Sequence, residues 1–84
     1  MKDLLIYLVG SIVNNPDSVS VNEDALENGS ALLRLTVHPD DMGGVIGKGG
    51  KIINSIRQIV RVVAIRQGKH VTIELEEASP NLSE

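Results

Sequence analysis

The chain has 84 residues, no cysteine and a formal net charge of −3. A domain of that length buries only roughly 60% of the surface its unfolded chain exposes, so its core is small. The missing cysteines exclude a disulfide framework, a thiolate zinc site and a cysteine nucleophile, and make a reducing cytoplasm the default compartment.

Tyr7 is the one aromatic residue, so the core must be assembled from branched aliphatics. The first candidate is the apolar run LLIYLVGSIV. It is too short to span a membrane, and Lys2 and Asp3 in front of it cancel, whereas a secretory signal starts with net positive charge. Leu4, Leu5, Leu8, Val9, Ile12 and Val13 recur at helical spacing until Asn14, Asn15 and Pro16, which predicts a packed first helix. SVSVNE then alternates Val19 and Val21 with polar residues, and Asn28-Gly29 is a strong hairpin signal. In ALLRLTVH, Leu33, Leu35 and Val37 share one face and Leu32, Arg34 and Thr36 the other, which predicts a second strand antiparallel to the first.

Pro39 ends that strand, and Asp40 or Asp41 is placed to cap a short helix, DMGGVI. From Lys51 onward Ile52, Ile56, Ile59, Val60 and Val63 follow helical spacing for about four turns, until Gly68 supplies a stop. A third strand, HVTIELE, sets Val71, Ile73 and Leu75 against Thr72, Glu74 and Glu76. A crossover of two helices is long enough to join parallel neighbours. The expected fold is α+β, in the order α-β-β-α-α-β, with helices packed on one face of a three-stranded mixed sheet. Residues 1–78 form this single domain, and the polar tail at 79–84 is expected to fray.

Charge is segregated along the chain. Between Met42 and Ile73 there is no acidic residue, and Lys48, Lys51, Arg57, Arg61, Arg66 and Lys69 give the segment +6; the remainder carries −9. This suggests a basic working face on an acidic body. Within the segment, VIGKGGKII sets three glycines and two lysines between pairs of branched aliphatics. It is neither a Walker loop nor a dinucleotide fingerprint, because the required glycine and hydroxyl positions are not filled. What it can offer is a backbone that a phosphate can approach closely, at the positive end of a helix and with lysines beside it.

With its flanks, VIGKGGKII resembles the signature of the KH domain, in which an Ile-Gly-x-x-Gly loop joins two helices and clamps about four nucleotides of a single strand. The element order resembles the type II KH arrangement over nearly the whole chain. The run MGGVIGKGGKIINSIRQIV, without an appended module, is similar to the small bacterial RNA-binding KH proteins of the KhpA type. Gly44, where a bulkier or charged residue is expected, and Gly49, which loosens the variable pair of the loop, depart from the pattern.

The resemblance implies that Gly47, Lys48, Gly49 and Gly50 hold an RNA backbone, that Val45, Ile46, Ile52 and Ile53 contribute to an apolar groove beside it, and that Lys51 and Arg57 add contacts. It also implies a cytoplasmic protein that binds single-stranded RNA with low sequence specificity, as an RNA chaperone or post-transcriptional regulator. It needs no cofactor or metal, does not insert into membranes, and forms a homodimer or pairs with a larger Jag-type KH-containing partner. The shortage of aromatics agrees, since RRM-like sheets and OB folds stack bases on aromatic platforms.

Two other classes are open on the residues alone. A DNA-binding helix-turn-helix would use Lys51, Asn54, Ser55 and Gln58 as base readers, although its turn does not need three glycines. A domain that kept the fold only to pair with another KH protein would not bind RNA at all. An enzyme would have to rest on His38, His70, Asp40 and Asp41, which show no recognisable nucleophile arrangement.

Overall fold

A computed structural model describes residues 1–78, and the polar tail at 79–84 lies outside the described residues. The elements run α1 (Lys2–Gly10), β1 (Ser20–Ala25), β2 (Ala31–Val37), α2 (Met42–Ile46), α3 (Lys51–Arg66) and β3 (Val71–Glu77), with short 3-10 turns at Pro16–Ser18, Pro39–Asp41 and Lys48–Gly50. This is the expected α+β order. The sheet is β1-β2-β3. Its first pair is antiparallel, with Val21 opposite Leu35, and its second parallel, with Leu33 opposite Ile73 and Leu35 opposite Leu75.

Because side chains alternate along a strand, that register puts Val21, Leu33, Leu35, Ile73 and Leu75 on one face. Leu33, Leu35 and Val37 are fully buried. They join Leu5 and Val9 of α1, Val45 of α2 and Ile53, Ile56 and Val60 of α3 in one aliphatic core. The helices therefore cover the apolar face of the sheet. No helix among the described residues is long and apolar enough to cross a membrane.

The local signals at chain reversals explain why the elements stop where they do. At the hairpin, Gly29 takes φ 87° and the Leu26 N–H donates to Ser30 O at 2.8 Å. After α3, Gly68 (φ 73°) closes a Schellman motif: its N–H donates to Ile65 O at 2.9 Å and the Lys69 N–H to Ala64 O at 2.8 Å.

Two expectations need correction. The first helix ends at Gly10, so Ile12 and Val13 lie beyond it in the connection to β1; the Ser11 hydroxyl donates to Tyr7 O at 2.8 Å and helps to end it. On α3 the buried side is Ile53, Ile56, Val60 and Ala64, while Ile52 and Ile59 are 40% and 47% exposed. The helix carries more aliphatic residues than one core face can take, and the side that fits the sheet is rotated by about one residue from the stripe containing Ile52 and Ile59.

Candidate nucleic-acid interface

Four residues join α2 to α3, and three are glycines with positive φ: 76° at Gly47, 64° at Gly49 and 79° at Gly50. The Gly47 N–H closes α2 on Gly43 O at 2.9 Å, and the Gly50 N–H closes the turn on Gly47 O at 3.1 Å. The glycines are not equivalent. Gly47 pairs its φ with ψ 172°, a region of the map that is essentially glycine's alone. A Cβ there would stand 2.4 Å from Ile52 Cγ1 and 2.9 Å from the Ile52 backbone nitrogen. Gly49 has φ 64° and ψ 19° with nothing within 4 Å of an added Cβ. That is the ordinary left-handed well, which other residues can enter at modest cost.

The loop delivers the backbone to the start of α3, a helix of 16 residues whose first amides have no side-chain cap. Those amides and the helix dipole favour an anion. Lys48 and Lys51 stand exposed on either side of Gly49-Gly50. Among the described residues the ion pair is Arg34–Asp24 at 3.1 Å; His38 Nδ1 also lies 3.7 Å from Asp40 Oδ2, a contact that would be an ion pair only with a protonated imidazole. None of the six cations between Met42 and Ile73 is neutralised by an acid in this way.

The arc of α3 that leaves the core has two unlike flanks. On the side toward β3, the Arg57 Nε–H donates to Ile73 O at 3.3 Å, and Arg57 Nη1 donates to Asn54 Oδ1 at 3.2 Å; by helical spacing Arg61 belongs to this side. The guanidinium thus bridges α3 and the edge strand. On the side toward α1, Ile52, Ile56 and Ile59 line an apolar groove of about 310 Å³ with Leu8 and Ile12, and Lys51 and Ser55 lie at its margin.

The structure divides the expected site residues. Gly47, Lys48, Gly49 and Gly50 form one continuous turn, Lys51 opens α3 directly after it, and Arg57 follows on the same helix. Val45 and Ile53 are 0% and 5% exposed, so they are core residues that fasten α2 and α3 beneath the loop and not an open groove surface. Ile46 is half-buried, and Ile52 faces the α1 side.

Asp41 does a different task from the capping role that its position in the sequence suggests. It occupies the cap position of α2 but makes no capping hydrogen bond. It is the one buried charged residue described, 4% exposed. Its Oδ1 accepts from the Asn14 N–H at 3.0 Å, and its Oδ2 accepts from the Asn15 N–H at 3.0 Å and from Asn15 Nδ2 at 3.1 Å. These donors, led by the Asn14 N–H, outweigh desolvation and hold the carboxyl below the ordinary aspartate range. The adjacent 3-10 turn is capped by His38, whose Nδ1 accepts from the Asp40 N–H at 3.0 Å. Asp41 and His38, two of the four groups that could suggest acid–base chemistry, therefore have structural partners.

A family model described as the KH domain of KhpA/KhpB matches residues 2–75. The "RNA-binding protein KhpA" of Clostridium perfringens is 44% identical over 75 residues, covering 89% of this chain and 99% of that protein. The proteins of the same name from Streptomyces coelicolor and Bacillus subtilis are 37% and 35% identical, each over 89% of this chain and over 90% and 91% of their own lengths. These names describe binding and not catalysis. Among solved structures, Aquifex aeolicus Era bound to GDP and AlF4− aligns with 95% of this chain at a TM-score of 0.63 and 17% identity, a likeness of fold alone. This chain spans only 31% of that one.

Proposed function

The chain belongs to the KhpA/KhpB KH-domain family, and from that premise we propose that it binds single-stranded RNA through the turn Gly47–Gly50. The observation that carries this reading is a glycine turn, at the uncapped start of a 16-residue helix, flanked by Lys48 and Lys51, which make no ion pair among the described residues. Phosphates would pass over Gly49 and Gly50, between Lys48 and Lys51, with Arg57 and Ile46 beside the strand. Recognition of this kind addresses the backbone, so sequence specificity is low, and the protein acts as a cytoplasmic RNA chaperone or post-transcriptional regulator.

Salt titration tests it. Two or three phosphate contacts should give a slope of about −1.4 to −2 in log K against log salt for a single strand, at roughly −0.7 per contact. An affinity independent of salt, or a preference for duplex DNA, would overturn the reading in favour of the helix-turn-helix. In that reading Asn54 and Ser55 would be base readers, yet the Asn54 carbonyl accepts from Arg57 and the Ser55 hydroxyl donates to Lys51 O at 2.8 Å.

The second flank of α3 supports pairing, with another copy or with a larger Jag-type KH-containing protein. Ile59 and Val62 are 47% and 56% exposed, on a helix whose other flank is basic. Pairing there would leave the turn free for RNA. Replacing Ile59 and Val62 together by Asp should abolish association in sedimentation equilibrium while changing RNA affinity by less than about threefold, because neither residue belongs to the turn. Unchanged association of the folded variant would place the pairing surface elsewhere.

A further inference from the structure

Helix α2 is poorly able to hold its own direction. It has five residues, two of which are glycines (Gly43 and Gly44), and each costs about 1 kcal/mol relative to alanine in a helix interior. Its apolar anchors, Met42, Val45 and Ile46, contribute burial, which is not directional. The directional contact is at its N-terminus. There the Asp41 carboxylate takes three hydrogen bonds from Asn14 and Asn15, at 3.0–3.1 Å, from a connection 26 residues or more away in sequence. At the other end, the Gly47 N–H is bonded back to Gly43 O, so a change in the direction of α2 moves the first residue of the turn with it.

We propose that Asp41 is a positioning residue for the glycine turn: by locking the α1–β1 connection to the first residue before α2, it fixes where Gly47–Gly50 presents its backbone. The carboxylate serves this purpose better than a neutral group because an ionised side chain is acceptor-only and can take all three donors at once. An asparagine must turn an NH2 toward one of them.

The effect on RNA rests on the binding function proposed above; the effect on the turn does not, and the test separates them. Amide hydrogen exchange is measured on wild type, Asp41→Asn, Asp41→Ala and Asn15→Ala, at a temperature where each is folded. Affinity for a labelled oligouridylate is measured on the same samples. Exchange at Gly47, Gly50 and Lys51 should accelerate roughly tenfold more than exchange at Leu35 and Val60 in Asp41→Ala, with a smaller excess in Asp41→Asn and the smallest in Asn15→Ala. Oligouridylate affinity should fall in the same order, roughly fivefold for the alanine variant.

Should Asp41→Ala not fold, the Asn15→Ala and Asp41→Asn pair carries the same ordering. Exchange that rises uniformly across turn and core would overturn the inference, since Asp41 would then contribute only to global stability. So would unchanged exchange at the turn. Failure of wild type to bind oligouridylate would instead sink the binding function, leaving the exchange result to decide the role of Asp41.

Discussion

Replacing Lys48 and Gly49 together by Asp should weaken RNA binding sharply and leave the fold standing. The change moves three units of charge at the place where phosphates are proposed to pass. At contact distance, each unit against a phosphate is worth about 1 kcal/mol in a water-like dielectric. Screening at physiological salt reduces that sum, so the loss should be roughly ten- to hundredfold. On the stability side, Lys48 is exposed and makes no ion pair among the described residues. Gly49 sits in the left-handed well in open space, which Asp enters more readily than most residues. A cost of about 1 kcal/mol follows, partly offset by a carboxylate near the start of α3.

Arg66→Asp is the control for net charge. It lies at the far end of α3, about 22 Å away by the helical rise, and should weaken binding only a few-fold. If the folded double variant binds oligouridylate as tightly as wild type, the turn is a connection and nothing more.

The fold was legible wherever a single periodicity had a single solution. In β2, the alternation of Leu33, Leu35 and Val37 leaves one face to bury, and the structure buries it. Gly29 and Gly68 could be read as reversals because a positive φ is a local requirement that glycine meets without strain. In α3 the pattern was ambiguous. Ile52, Ile53, Ile56, Ile59, Val60, Val62, Val63 and Ile65 cover more than half of the helix circumference, and only the width of the sheet decides which of them the core takes. The surplus on the α1 flank is information of its own, since one domain cannot bury it.

The site was half legible. The composition of the turn announced an anion-compatible backbone, but its supports did not show. Val45 and Ile53 look like groove residues beside the glycines and are core residues in space. Asp41 follows a proline turn and precedes a helix, the usual place of a cap. Its actual donors lie 26 and 27 residues earlier, and sequence spacing cannot disclose a contact at that range.

The strictness of Gly47 provides the sharpest test of the turn itself. Gly47→Ala should cost about 3 kcal/mol or more, combining a backbone conformation that only glycine adopts freely with the collision against Ile52. In a domain of this size, that is a large share of a total stability of roughly 5–15 kcal/mol. It should lower Tm by roughly 15 °C or more. Gly49→Ala, in the open left-handed well, should cost about 1 kcal/mol, and its melt should stay much closer to wild type.

The two sources of the Gly47 penalty can be separated by adding Ile52→Ala, which removes the Cγ1 atom 2.4 Å from the added Cβ but leaves the Cβ and backbone nitrogen contacts at 2.9 Å. If strain in φ and ψ dominates, the second substitution restores little. If the side-chain collision dominates, the double variant should recover about 1–2 kcal/mol relative to additivity. Equal melting temperatures for Gly47→Ala and Gly49→Ala would show instead that the turn relaxes around an extra methyl group. The close seating of Gly47 on Ile52 would then not be what sets the path of the backbone from α2 into α3.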